Sequence, residues 1–265
     1  MNKLKYLLVF IISIYLLILV VMSTWQKQFI FFPERLEQDH RYLFPVMFEE
    51  LWFDVEKDVR INALFFEVEN AKGTVIYFHG NAGSLRMWGN AASHFLKENY
   101  NCLIYDYRGY GKSGGEIDEE KFYSDAVFIY DKIKEEREEL ILLYGRSLGS
   151  GIASNLASVR DPDLLILEAP YYSMKDVAKR LYPFLPVSLL LKYNFPTNKF
   201  IRDVKCKIII FHGTDDEVIY AGSSEKLKKH LKPGDEVYFI DGAHHNDLEY
   251  FEEYKMKLKN ILNQN

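Results

Sequence analysis

Cysteine is nearly missing from this chain, with 2 among 265 residues, Cys102 and Cys206. A disulfide scaffold, in which covalent staples stand in for a core, is therefore excluded, and at most one bridge could form. An excess of basic charge is missing too. Lys and Arg number 33 against 38 Asp and Glu, for a net charge of -5, so no polyanion-binding surface and no nucleic-acid partner are expected. Internal repeats are absent, and so is low-complexity sequence outside the amino-terminal apolar run. The histidines do not stand at metal-ligand spacing, and Asn246 follows the adjacent His244 and His245 where a further ligand would be needed. A phosphate loop also fails. The run Gly111, Lys112, Ser113 invites that reading, but the glycine that should open the motif is Asp106. No metal and no cofactor are expected.

What is present begins with an apolar run, Tyr6 to Thr24, "YLLVFIISIYLLILVVMST", without a charge and about as long as a bilayer core requires. It reads as one membrane-spanning helix. Lys3 and Lys5 precede it, while Trp25, Phe29, Phe31 and Phe32 follow, where aromatic rings suit the headgroup level. A cleaved signal peptide is the rival reading, with Val21 and Ser23 as the small residues before a cut. The run is longer than the usual signal-peptide core, which favours an anchor. Lys27, Arg35 and Arg41 on the far side leave the positive-inside rule leaning toward a cytoplasmic amino terminus, and both readings export the remainder of the chain.

Beyond a polar stretch around Glu34 to Arg41, "LWFDV" and "RINALFFEV" flank Lys57 and Asp58 and predict a hairpin. Six short apolar runs follow: "TVIYFHG", "NCLIYDYRG", "ELILLYG", "LLILEAP", "KIIIFHG" and "EVYFIDG". Helix-like segments alternate with them over Leu85 to Tyr100, Glu119 to Glu138, Leu148 to Val159 and Ser223 to Leu231, and Asn246 to Leu262 closes the chain. Strands alternating with helices predict a parallel sheet covered on both faces. From Pro170 to Val204 the rhythm breaks. This insertion, cut by Pro183, Pro186 and Pro196 and carrying Leu181, Phe184, Leu185, Leu189, Leu190 and Leu191, predicts a small apolar cap.

Chemistry concentrates at "LILLYGRSLGSGIASNLA", where a buried-strand run stops at Gly145 and small residues follow. Gly145 to Gly149 match Gly-x-Ser-x-Gly, a strand-to-helix turn that exposes a serine. Ser147 is therefore a candidate nucleophile, and a serine hydroxyl needs a histidine base and an acid to orient that base. Both follow in the expected order. Asp215 and Asp216 come after "KIIIFHG", and His244 and His245 after "EVYFIDG", at strand ends that a parallel sheet places on the same edge as Ser147. Spacing leaves each adjacent pair open. His79 and His212 read as core groups at strand ends, and His94 as a helix residue. For the oxyanion of acyl transfer, the N–H groups of Leu148 and of Asn81, in "FHGNAGS", are the candidate donors.

With "HGNAG", "YDYRGYGKSGG", "YGRSLGSG", "LEAPYYSM", "HGTDDEVI" and "HHNDL" in place, the chain resembles the alpha/beta-hydrolase superfamily. It is similar in particular to the membrane-anchored serine hydrolases that include depalmitoylating thioesterases and lysophospholipases. The resemblance runs from Thr74 to the end and implies an α/β fold: an eight-stranded, mostly parallel sheet in the order 1-2-4-3-5-6-7-8 with helices on both faces. Residues 1–24 would be the anchor, 25–47 a juxtamembrane connection and 48–265 the hydrolase domain, with the cap at about 170–204. On that strand order Cys102 and Cys206 sit near opposite edges, which speaks against a disulfide. The family pattern His-Gly-x-x-Asp maps the acid onto Asp216, and a histidine before Asn-Asp maps the base onto His245. His244 stands where a glycine is commoner. Asp106 and Arg108 receive no catalytic role.

The resulting expectation is a cofactor-free, single-pass membrane hydrolase on the extracytoplasmic side. It would cleave ester or thioester bonds of acyl-chain or lipid-like substrates through Ser147, His245 and Asp216. A small-ester carboxylesterase, a peptidase on the same fold, and a non-catalytic membrane-tethered binding protein are the rival readings.

Overall fold

The computed structural model describes residues 2–137 and 139–264. Met1, Glu138 and Asn265, each at the end of a segment expected from the sequence, lie outside the described residues.

Eight strands form the main sheet: β1 (Glu49–Glu56), β2 (Val59–Phe66), β3 (Gly73–Phe78), β4 (Tyr100–Tyr105), β5 (Leu140–Arg146), β6 (Leu164–Glu168), β7 (Lys207–Gly213) and β8 (Glu236–Ile240). Their spatial order is 1-2-4-3-5-6-7-8, with β2 antiparallel to both neighbours and the remaining pairs parallel. This is the expected order. The β1–β2 hairpin turns at Lys57 and Asp58, where Asp58 takes φ 62°, a left-handed value that Asp tolerates better than most residues. Cys102 lies in β4 and Cys206 just before β7, and both are free thiols.

The apolar runs are continuous because both faces of the sheet are covered. Side chains alternate between the faces with a period of two. Phe78, Leu143 and Ile210 face a core with Phe122, Ile129 and Ile152, while Tyr77, Tyr144 and Phe211 face a second core with Phe95, Leu258 and Ile261.

The helices are α1 (Asn2–Thr24), α2 (Gln26–Ile30), α3 (Leu85–Trp88), α4 (Ala92–Leu96), α5 (Glu119–Glu136), α6 (Leu148–Val159), α7 (Met174–Leu181), α8 (Val187–Leu190), α9 (Thr197–Phe200), α10 (Gly222–Lys228) and α11 (Glu252–Gln264). Helix α5 starts where the Asp118 carboxylate accepts the Lys121 N–H at 3.0 Å, and Glu119 and Glu120 complement the helix dipole in its first turn. The single helix expected over Leu85 to Tyr100 is instead α3 and α4 joined by a 3-10 turn at Gly89–Ala91. Gly89 and Asn90 are poor helix formers, and the Phe44 ring packs where a Gly89 side chain would be.

Helix α1 is long and apolar enough to cross a membrane, with a mean hydropathy of 2.8 and an unburied surface. The stretch beyond it is held to the body along its length. Phe32 and Pro33 pair in parallel with Ala82 and Gly83, Arg35 bridges to Gly111, and Phe31 and Tyr42 are buried. Helices α7, α8 and α9 form the insertion between β6 and β7, over the carboxyl ends of the strands.

Candidate active site

Strand β5 gives way to α6 at Ser147, which has φ 50° and ψ -116°, a strained conformation for a residue with a side chain. Backbone bonds hold it there. The Ser147 N–H donates to the Glu168 carbonyl at 2.9 Å, and the Ser147 carbonyl accepts from the N–H and hydroxyl of Ser150 at 2.9 and 2.7 Å. The flanking glycines are needed for clearance. A Cβ on Gly145 would stand 2.7 Å from the Gly149 carbonyl oxygen, and one on Gly149 would stand 2.5 Å from the Phe78 carbonyl carbon.

Ser147, Asp216 and His245 come together at the carboxyl ends of β5, β7 and β8. His245 Nδ1 lies 2.7 Å from Asp216 Oδ2, and its Nε2 lies 3.1 Å from Ser147 Oγ. An ionised carboxylate only accepts, so Nδ1 carries the proton and Nε2 is free to accept from the serine. Asp216 also accepts the N–H groups of Val218 and Ile219 on Oδ1, at 2.9 and 2.7 Å. Burial raises its proton affinity, but hydrogen bonds from His212 and His245 outweigh that and hold the carboxyl well below the usual range. All three side chains are buried, with Ser147 only 9% exposed.

The other member of each adjacent pair points elsewhere. His244 is exposed and its Nδ1 meets Glu217 at 3.1 Å, which raises its pKa. Asp215 is exposed as well, with the Thr214 hydroxyl 3.4 Å from its carboxylate. Asp106 is buried, accepting the Leu85 N–H at 3.1 Å, and Arg108 pairs with Asp125 at 2.6 Å. Neither touches Ser147 chemistry. Among the described residues, no group of three or more His, Cys, Asp and Glu side chains is placed to hold a metal ion.

Three supporting roles escaped the sequence reading, those of His212, Arg146 and Glu168. His212 Nε2 lies 3.3 Å from Asp216 Oδ2 and 2.7 Å from the Ile219 carbonyl, while its Nδ1 meets the Ser224 hydroxyl at 2.6 Å. It is a core group at a strand end, as expected, but one that also fixes the acid. Arg146 donates to Glu168 at 2.8 Å and reaches the His245 carbonyl and Asn246 Oδ1 at 3.1 and 2.9 Å. Burial works against its charge, and the Glu168 carboxylate more than restores it. The available signal was a charge at the end of each of two adjacent buried strands, since such charges must find partners.

Asn81 and Leu148 lie with Ser147 around one cavity of about 260 Å³. Leu148 opens α6, whose first N–H groups have no partner within the helix. Asn81 follows β3, and its carbonyl and side-chain oxygens accept the Tyr110 hydroxyl at 2.9 and 3.0 Å. Its side-chain amide donates to the Ile30 carbonyl. The rest of the lining is largely apolar and includes Met174, Val177, Leu181 and Leu185 from the insertion.

Residues 69–202 match the family profile described as "Serine aminopeptidase, S33". The chain is 31% identical over 220 residues to alpha/beta hydrolase domain-containing protein 17B of Homo sapiens, covering 78% of this chain and 73% of that protein. It is 32% identical over 197 residues to the Caenorhabditis elegans protein aho-3, also described as an alpha/beta hydrolase domain-containing protein, and covers 58% of that protein's length. Among solved structures, the Pyrococcus furiosus esterase Pf2001 superposes with a TM-score of 0.71 at 21% identity, over 88% of this chain and 98% of that one. A soluble variant of monoglyceride lipase from Saccharomyces cerevisiae superposes with a TM-score of 0.65 at 19% identity, over 85% and 99%.

Proposed function

Because the chain belongs to the alpha/beta-hydrolase family, we propose that it is a membrane-tethered serine hydrolase cleaving ester or thioester bonds of acyl-chain substrates. The relay of distances carries this reading: 3.1 Å from Ser147 to His245 and 2.7 Å from His245 to Asp216. Ser147 Oγ attacks the carbonyl carbon while His245 Nε2 takes its proton, and Asp216 stabilises the imidazolium. The N–H groups of Leu148 and Asn81 hold the oxyanion. His245 then returns the proton to the departing alcohol or thiol, leaving an acyl-serine. Water, deprotonated by the same imidazole, releases the acid and regenerates Ser147.

The apolar cavity favours an acyl group over a peptide. An aminopeptidase must hold its substrate's charged amine, and among the described residues no carboxylate lines this cavity. The apolar helix at the amino terminus supports a membrane location, with the catalytic edge of the sheet facing the same side as the helix end.

Covalent labelling with a fluorophosphonate probe tests the mechanism. Wild-type protein should be labelled and Ser147→Ala should not. Folded wild type that resists labelling would overturn the reading in favour of a non-catalytic binding protein.

A further inference from the structure

The cavity over Ser147 is not enclosed by the hydrolase body alone. Met22 from the end of α1, with Gln26 and Ile30 from α2, forms one side, and Ala178, Leu185 and Leu190 of the insertion form the other. Two struts join these sides. The Gln26 side chain is buried, donates through Nε2 to the Leu190 carbonyl at 3.0 Å and accepts the Lys192 N–H on Oε1 at 2.7 Å. Farther along α1, the Tyr15 hydroxyl donates to the Phe184 carbonyl at 3.0 Å.

The second strut sets a depth. Tyr15 precedes the end of α1 at Thr24 by roughly 13 Å of helix rise. When α1 spans a bilayer, Phe184 therefore lies among acyl chains rather than at the headgroups. The side chains there suit that place, with Phe184 66% and Leu189 87% exposed and both apolar. The backbone carbonyl at Phe184 also has its hydrogen bond, which hydrocarbon surroundings require.

Resting on the membrane-hydrolase reading above, we infer that the anchor is itself a wall of the substrate site. The acyl chain of a bilayer-resident ester lies between the α1–α2 end and the insertion, with its carbonyl at Ser147, and enters sideways from the bilayer without crossing water. The helix thus selects substrate by acyl length as well as tethering the protein. Burying each further methylene of the chain contributes about fourfold to kcat/KM until the cavity is filled.

The test uses the full chain in phosphatidylcholine vesicles, with butanoyl and dodecanoyl 4-nitrophenyl esters as substrates. Met22→Trp and, from the facing wall, Leu190→Trp should each lower dodecanoyl hydrolysis at least tenfold while butanoyl hydrolysis stays within about twofold. Leu8→Trp, on the exposed surface of α1, should leave the ratio of the two rates unchanged. An unchanged ratio in both wall variants, or an equal loss on both esters with Ser147 still labelled by fluorophosphonate, overturns the inference. Wild type inert toward both esters and the probe overturns the hydrolase reading itself.

Discussion

Replacing Arg146 by Met keeps a long side chain but removes the guanidinium that pairs with Glu168 at the carboxyl ends of β5 and β6. Its partner Glu168 would then be a carboxylate 11% exposed with no cation against it. Breaking a buried ion pair from one side costs about 3–5 kcal/mol. The lower end applies here, about 3 kcal/mol, because Glu168 keeps hydrogen bonds from the hydroxyls of Tyr144 and Tyr254. For a chain of this size that corresponds to a fall in thermal midpoint of about 6–12 °C. Glu168→Gln alone should cost less, about 1–2 kcal/mol, since Arg146 retains the His245 carbonyl and Asn246. The double variant buries no charge at this place and should lose only about 2 kcal/mol, less than Arg146→Met alone. A thermal-unfolding cycle in detergent should therefore give a coupling of about 2–3 kcal/mol. Hydrolysis should behave differently: Arg146 also holds the His245 loop, so a reduction in kcat of about tenfold should persist in the double variant. Additive stability losses, with coupling below about 0.5 kcal/mol, would refute the argument.

His245→Ala should lower kcat by about 10⁴-fold or more, whereas His244→Ala, whose ring faces Glu217, should stay within about twofold. Steady-state rates on a short ester distinguish the two. Asp216 has a depressed folded pKa, so its contribution to stability is complete above its unfolded value near 3.9 and is lost as pH falls through the lower folded value. Thermal midpoints measured below about pH 4 should thus fall less steeply in Asp216→Asn than in wild type, and parallel profiles would contradict this. Gly149→Ala drives a methyl against the Phe78 and His79 backbone, and should destabilise the protein by about 2 kcal/mol or more as measured by its unfolding midpoint. Ser147→Ala should fold as stably as wild type or better, because alanine removes a hydroxyl and no packing from a strained turn.

The strand order was legible because continuous apolar runs reveal strands buried on both faces, and because the resemblance carried by "HGNAG", "YGRSLGSG" and "HGTDDEVI" specified their arrangement. Ser147 was legible for a local reason, the strand-glycine-serine-glycine-helix pattern. The choice within Asp215–Asp216 and within His244–His245 depends on how each loop curls. Spacing leaves both members at a strand end, whereas the Val218 and Ile219 N–H groups converge on Asp216. The break between α3 and α4 had a signal at Gly89 and Asn90, but its cause, the Phe44 ring, comes from a distant segment. Least legible was the seat of the amino-terminal helix. Gln26 meets Leu190 and Lys192 across more than 160 residues of chain, and neither partner offers a pattern that points back to it.

The pairing of Phe32 and Pro33 with Ala82 and Gly83 removes slack between the apolar helix and the body. Asn81, an oxyanion donor in the mechanism above, immediately precedes that pair, and its amide is bonded to Ile30. A protein on a floppy leash can sample many heights and tilts. On the proposed membrane-hydrolase reading, this one would ride at a set altitude, like a plane blade clamped in its block, with its chemistry confined to a thin slab parallel to the bilayer. A scissile bond held above or below that slab would then escape cleavage regardless of its reactivity.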